Sequence, residues 1–275
     1  MFHRILLASL LSLAPLAAAP TPDQKVTYKT VGDVTLRLHV FNPENHKATD
    51  KTPAIVFFFG GGWVGGSPSQ FYPHCKHLAE KGMVAISAEY RVKGAHGTSP
   101  IECVKDGNSA IRWVRQHAAE LGVDPDKIAA GGGSAGGHVA AATAHTPDYE
   151  EKGEDLAISS RPNALVLFNP VLDNGPGDWG HATVKDYWKE FSPAHNVQEG
   201  APPAIVFLGT KDPLIPVATL QRYEAAMKKA GSRCDLHLYE GQSHGFFNQS
   251  KSKGLYYEKT VTEMDAFLKS LAFLR

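Results

Sequence analysis

Val26 to Val31 and Val34 to Phe41 alternate apolar and polar side chains on either side of Gly32-Asp33, the pattern of a half-buried β-hairpin. Ala54 to Phe59 is then an unbroken apolar run that ends in glycines, as expected of a strand covered on both faces. From there helix-period and strand-like segments alternate. The spacing predicts helices over Phe71–Lys81, Glu102–Leu121, Ala135–Ala144, Val217–Ala230 and Tyr257–Leu274. It predicts strands over Val84–Ala88, Lys127 into Ser134, Ala164–Phe168, Ala204–Leu208 and Asp235–Tyr239. Such alternation implies an α/β fold with a mostly parallel sheet, helices on both faces and an N-terminal antiparallel hairpin. In sheets of this kind functional groups gather at the carboxyl ends of the strands, so the residues after each strand are where chemistry is expected.

The 275 residues are 43% hydrophobic and 20% charged, enough for one large or two small cores. No repeat, low-complexity linker or charge block divides the chain, so residues 20–275 are expected to form one domain. Lysine plus arginine balances aspartate plus glutamate at 28 each, which leaves no net field to attract nucleic acid or an anionic membrane. The expected partner is a small or oligosaccharide substrate, and the sequence is silent on oligomeric state. Met1 to Arg4 is basic, Ile5 to Leu16 is apolar, and Ala17, Ala18 and Ala19 are small. This reads as a secretory signal over residues 1–19, too short to span a bilayer stably, so a secreted or periplasmic protein is expected. Pro20 disfavours cleavage directly after Ala19. Cys75, Cys103 and Cys234 are odd in number and fall in predicted helix, helix and strand, where packing is the expected role. His74 and His77 flank Cys75, but the ligand set is incomplete, and no metal or organic cofactor is expected.

Gly132 to Gly136 spells Gly-x-Ser-x-Gly between a predicted strand and a predicted helix. In that setting the pattern is a nucleophile elbow, a sharp turn that lifts the Ser134 hydroxyl above the sheet edge. No Gly-Lys-Ser/Thr follows, and no acidic residue stands at the ribose-binding distance, so a nucleotide-binding loop is disfavoured. A serine hydroxyl needs a base to take its proton and an acid to orient that base. Asp212 and His244 follow later strands in the chain order Ser, Asp, His. His138, four residues beyond Ser134, competes formally as the base.

This order and placement resemble the α/β-hydrolase superfamily over nearly the whole chain. The motifs Phe59-Gly-Gly-Gly-Trp63, Glu89-Tyr-Arg91, Gly133-Ser-Ala-Gly-Gly137, Asp212-Pro-Leu214 and Ser243-His-Gly-Phe246 are similar to those of hormone-sensitive-lipase-like esterases and related bacterial carbohydrate and feruloyl esterases. The resemblance implies a Ser134, His244, Asp212 triad and an oxyanion hole made by the N–H groups of Gly61, Gly62 and Ala135. Two positions depart from it: Phe59 stands where a histidine is usual, and Gly133 where an acidic residue is common. Trp63, Trp179 and Trp188 are candidate substrate contacts, the last two on the segment Asp173 to Gly200, and packing explains them equally well. That segment mixes Gly, Asp, Lys and His with its aromatics, which suits a short acyl group better than a lipid channel. The reading is a serine carboxylesterase acting on short-chain, acetyl or feruloyl esters. A broad lipolytic esterase, a lactonase or a peptidase would use the same triad, and a non-catalytic ligand-binding homologue is the alternative from another class.

Overall fold

A computed structural model describes residues 19–275. All but the last residue of the expected signal segment lies outside the described residues. Eight strands form one sheet: β1 Gln24–Val31, β2 Val34–Phe41, β3 Thr52–Phe58, β4 Val84–Ala88, β5 Val123–Gly133, β6 Ala164–Phe168, β7 Ala204–Gly209 and β8 Cys234–Tyr239. Their order is β1-β2-β4-β3-β5-β6-β7-β8. β1 and β2 pair antiparallel, β2 pairs antiparallel with β4, and every pairing from β4 through β8 is parallel. The hairpin and the mostly parallel sheet therefore agree with the hydrophobic pattern.

The helices are α1 Tyr72–Glu80, α2 Lys93–His96, α3 Pro100–Gln116, α4 Ala135–His145, α5 His181–Val184, α6 Trp188–Phe191, α7 Val217–Lys229 and α8 Leu255–Ser270. Along β3, Ala54, Val56 and Phe58 join the core shared with α3, α4 and α7. Ile55 and Phe57 point to the other face, where α1 and α8 pack. The unbroken apolar run is thus the consequence of a strand with no solvent side. α3 begins two residues earlier than its periodicity suggests because Ser99 and Glu102 form a reciprocal capping box ahead of Pro100. It also stops at Gln116, and turns carry the chain from there to Gly122.

Several conspicuous polar residues are structural. Asp106 is fully buried between Lys29 at 2.7 Å and Arg91 at 2.7 Å, and Glu151 bonds the same two cations. This cluster ties β1, α3 and the segment after β4 together, and removing one member would leave an unpaired buried charge. Cys75 and Cys103 are buried, Cys234 is partly so, and all three are free thiols. Burial pushes each thiol pKa up, that of Cys234 to about 12, which disfavours thiolate chemistry.

Candidate active site

The loops that follow β3, β5, β6, β7 and β8 meet at the carboxyl end of the sheet. The chain steps from β3 outward to β4 on one side, while β5 and its successors run to the other. A crevice at such a switch point is where this architecture places its ligands.

Ser134 leaves β5 with φ 55° and ψ −122°, a conformation that costs an ordinary residue about 1–3 kcal/mol. Three backbone bonds hold it there: its N–H donates to the Phe168 carbonyl at 3.0 Å, and its carbonyl accepts the N–H groups of His138 at 3.0 Å and Val171 at 3.2 Å. A Cβ at Gly136 would stand 2.1 Å from the Phe58 carbonyl oxygen. Only glycine lets α4 pass β3 so closely, which is why the motif demands it.

His244 Nε2 lies 2.9 Å from Ser134 Oγ, and its Nδ1 lies 2.7 Å from Asp212 Oδ2. The other carboxylate oxygen of Asp212 accepts the N–H groups of Leu214 at 2.8 Å and Ile215 at 3.0 Å. Asp212 is thereby aimed at Nδ1, and its side chain is 1% exposed. With the ring proton on Nδ1 facing a carboxylate, the Nε2 lone pair is left to accept from the serine hydroxyl. The arrangement can remove a proton from Oγ as it attacks an electrophile.

The loop after β3 lies against the nucleophile, since a Cβ on Gly60 would meet Ser134 Cβ at 3.3 Å. Gly61, Gly62 and Trp63 all have positive φ, at 137°, 64° and 61°. The Gly61 carbonyl accepts the N–H groups of Val64 at 3.0 Å and Gly65 at 3.1 Å, which turns it back toward the loop. Ala135, the first residue of α4, is fully buried directly after Ser134. Where the resembled esterases carry histidine, the Phe59 ring stacks on Tyr90 at 4.2 Å, and the Tyr90 hydroxyl donates to the Phe59 carbonyl at 2.5 Å. Aromatic packing therefore braces this loop.

The three candidate tryptophans separate. Trp179 reaches the glycine loop, its ring lying 3.5 Å from where a Gly62 Cβ would be. Trp63 is 2% exposed and packs between Trp179 at 5.0 Å, His138 at 5.2 Å and Phe191 at 5.7 Å. Trp188 packs within the 173–200 segment, against His195 at 5.0 Å and His181 at 6.2 Å. Beside the glycine loop lies a cavity of about 330 Å³ whose lining includes Gly62, Trp63, Val64, Thr98 and Thr183. A larger depression of about 860 Å³ involves Asn163 and Pro203, at the amino ends of β6 and β7, away from Ser134. Its size has no bearing on the site.

His138 does not compete as the base. It is fully buried, its Nε2 donates to the Phe191 carbonyl at 3.0 Å, and burial lowers its pKa to about 3. His74 and His77 also diverge: His74 is buried among aromatic rings, while His77 bonds Asp265 at 2.9 Å. Among the described residues no three histidine, cysteine or acidic side chains converge as a metal site, and no helix is long and apolar enough to cross a membrane.

A chain of neutral amides escapes motif reading. The Gly60 N–H donates to Gln70 Oε1 at 2.6 Å, and Gln70 Nε2 donates to Asn248 Oδ1 at 3.1 Å. Asn248 Nδ2 donates to the Gly245 carbonyl at 2.7 Å, and the Gly245 N–H donates to Asn169 Oδ1 at 3.0 Å. The glycine loop and the histidine loop are thus joined through Gln70 and Asn248, and Asn169 ties the histidine loop to the segment after β6. The only hint in the sequence is Asn169-Pro170 directly after a predicted strand.

This sheet, with a strained serine after β5, a buried aspartate after β7 and a histidine after β8, defines an α/β-hydrolase. Residues 38–178 match the BD-FAE family, and residues 177–275 match the dienelactone hydrolase family. The chain belongs to the BD-FAE family. Esterase LipQ of Mycobacterium tuberculosis is 30% identical over 200 residues, covering 66% of this chain and 47% of its own. An acetylxylan esterase of Xylanibacter ruminicola is 28% identical over 286 residues, covering 98% of this chain and 55% of its own. The chain thus spans about half the length of these two relatives. The structure of Thermogutta terrifontis esterase 2 phosphonylated by sarin superposes with a TM-score of 0.90 at 47% identity, covering 94% of this chain and 98% of that one.

Proposed function

We propose that the protein is a serine carboxylesterase that cleaves short-chain acyl esters through Ser134, His244 and Asp212. The observation that carries this reading is the unbroken relay from Asp212 through His244 to Ser134 Oγ, with contacts of 2.7 and 2.9 Å. Oγ attacks the ester carbonyl carbon while its proton passes to Nε2. The charge on the carbonyl oxygen is taken by the N–H groups of Gly61, Gly62 and Ala135, and one such donor is typically worth ~3 kcal/mol in the transition state. The same proton then goes from Nε2 to the leaving oxygen as the C–O bond breaks. Water, activated by His244, releases the acid and restores Ser134.

Support for a small acyl group comes from Thermogutta terrifontis esterase 2, solved with propionate and with butyrate bound. For the alcohol we propose an acetylated or feruloylated saccharide. The acetylxylan esterase relative and the cavity beside Gly62 favour this. Trp63 Nε1 and Thr98 Oγ1 are buried beside it without partners among the described residues. We further propose export, on the basic-then-apolar order of residues 1–19.

A fluorophosphonate probe is expected to form one covalent adduct, on Ser134. A p-nitrophenyl ester series is expected to peak between acetyl and butyryl, whereas an accommodating lipid pocket would gain ~0.8 kcal/mol per added methylene. Absence of the adduct would favour a ligand-binding homologue, and an optimum at octanoyl or longer would overturn the short-chain reading.

A further inference from the structure

Asn169 occupies a position between the nucleophile and the base that no motif accounts for. It follows β6 with φ 35°, in the left-handed region that asparagine tolerates better than most residues. It is 1% exposed, and its N–H donates to the Phe207 carbonyl at 2.6 Å. On one side of it Phe168 accepts the Ser134 N–H, and on the other Val171 donates to the Ser134 carbonyl. The segment that holds Asn169 therefore also clamps the peptide of the nucleophile.

The orientation of the Asn169 amide follows from its partners. A backbone N–H can only donate, so the atom 3.0 Å from Gly245 N is the oxygen. The amide nitrogen then faces His244 Nε2, at 3.4 Å. Nε2 is the atom that must accept the serine proton, and Asn169 presents it with a donor and no acceptor. Before reaction this weak contact supports the neutral ring, whose Nε2 lone pair can receive both Oγ–H and the amide N–H. Once the proton has moved to Nε2, the amide offers it nowhere to rest. The leaving-group oxygen is the remaining acceptor, and transfer to it accompanies C–O cleavage.

We propose that Asn169 is a positioning residue that keeps His244 in its proton-accepting form and steers the acquired proton to the leaving group. This rests on the esterase reading above. Among the described residues Asp212 is the one charged side chain bonded to the imidazole. Lys211 and Glu240, on the flanking loops, are both exposed to solvent. Asn169 itself does not titrate, so its influence is that of a dipole and is reversed by placing an acceptor in its stead.

Asn169→Asp is the decisive variant because a carboxylate still accepts the Gly245 N–H while turning an acceptor toward Nε2. The acidic limb of its kcat/KM profile is expected to move up by about one pH unit. Asn169→Leu, which loses both contacts, is expected to lower kcat about tenfold and to move the limb upward by a few tenths of a unit. A limb that stays at its wild-type position in Asn169→Asp would overturn the proposal, since a loop anchor alone leaves the profile in place. Nitrogen-15 titration of the His244 ring in wild type and both variants reads the same preference without turnover. A chain that fails to hydrolyse esters would thus sink the esterase reading, while the ring titration still decides the role of Asn169. If Asn169→Asp does not fold, an unmoved ring titration in Asn169→Leu overturns the proposal.

Discussion

His244 at the rim of the sheet and the three histidines in the layers beneath it, His74, His138 and His145, are the same side chain in opposite settings. His244 is partly exposed and bonded on both nitrogens, to Asp212 and to Ser134. The other three are buried, and burial lowers each pKa to about 3, with His77 adding to the effect on His74 and Arg161 to that on His145. His74 has no partner on either nitrogen among the described residues, and His138 has none on Nδ1. The difference is one of supply: a carboxylate on one nitrogen and a hydroxyl on the other make a proton carrier, whereas apolar surroundings make a neutral packing piece.

The largest expected effect tests the rim. Ser134→Ala and His244→Ala should each lower kcat by about 10⁵-fold or more, and Asp212→Asn by about 10⁴-fold, with unfolding midpoints near that of wild type. Initial rates on p-nitrophenyl acetate measure this, and wild-type turnover by Ser134→Ala would end the assignment. His138→Gln should instead retain most of kcat while losing stability.

A smaller effect tests the interior. The folded pKa of His74, about 3, lies below the unfolded value near ~6.5. Between those two values the unfolded chain binds more protons, so the stability contributed by neutral His74 is complete above pH ~6.5 and is lost progressively as the pH falls toward ~3. Each such histidine adds about 1.4 kcal/mol per pH unit to that slope. Urea unfolding of His74→Leu at a series of pH values should show a shallower decline than wild type. An identical slope would mean that His74 is charged in the fold.

The smallest effect separates two tryptophans. Trp179→Ala should raise KM for aryl esters severalfold, because its ring covers Gly62. Trp188→Phe, whose ring packs on His181 and His195, should alter KM by less than about twofold. Equal effects on KM would place both rings at the substrate.

Much of this arrangement was legible from residue order. The continuous apolar runs of β3 and β6 required burial on both faces, and alternating strands and helices required a parallel sheet, because both follow from local periodicity and the need to satisfy backbone groups. The Gly132 to Gly136 elbow was legible for the same reason, since its turn depends on glycines adjacent in sequence. Which histidine faces Ser134 was not a local matter. His138 lies four residues away and His244 is separated by 110 positions, yet only the sheet order brings His244 to the serine and sends His138 into the core. The separation of Trp179 from Trp188 likewise depends on how one segment folds back over the glycine loop. The roles of Gln70, Asn169 and Asn248 were not legible because a neutral amide carries no motif. Its meaning lies in which donors and acceptors surround it, and those come from strands and loops that only tertiary packing brings together.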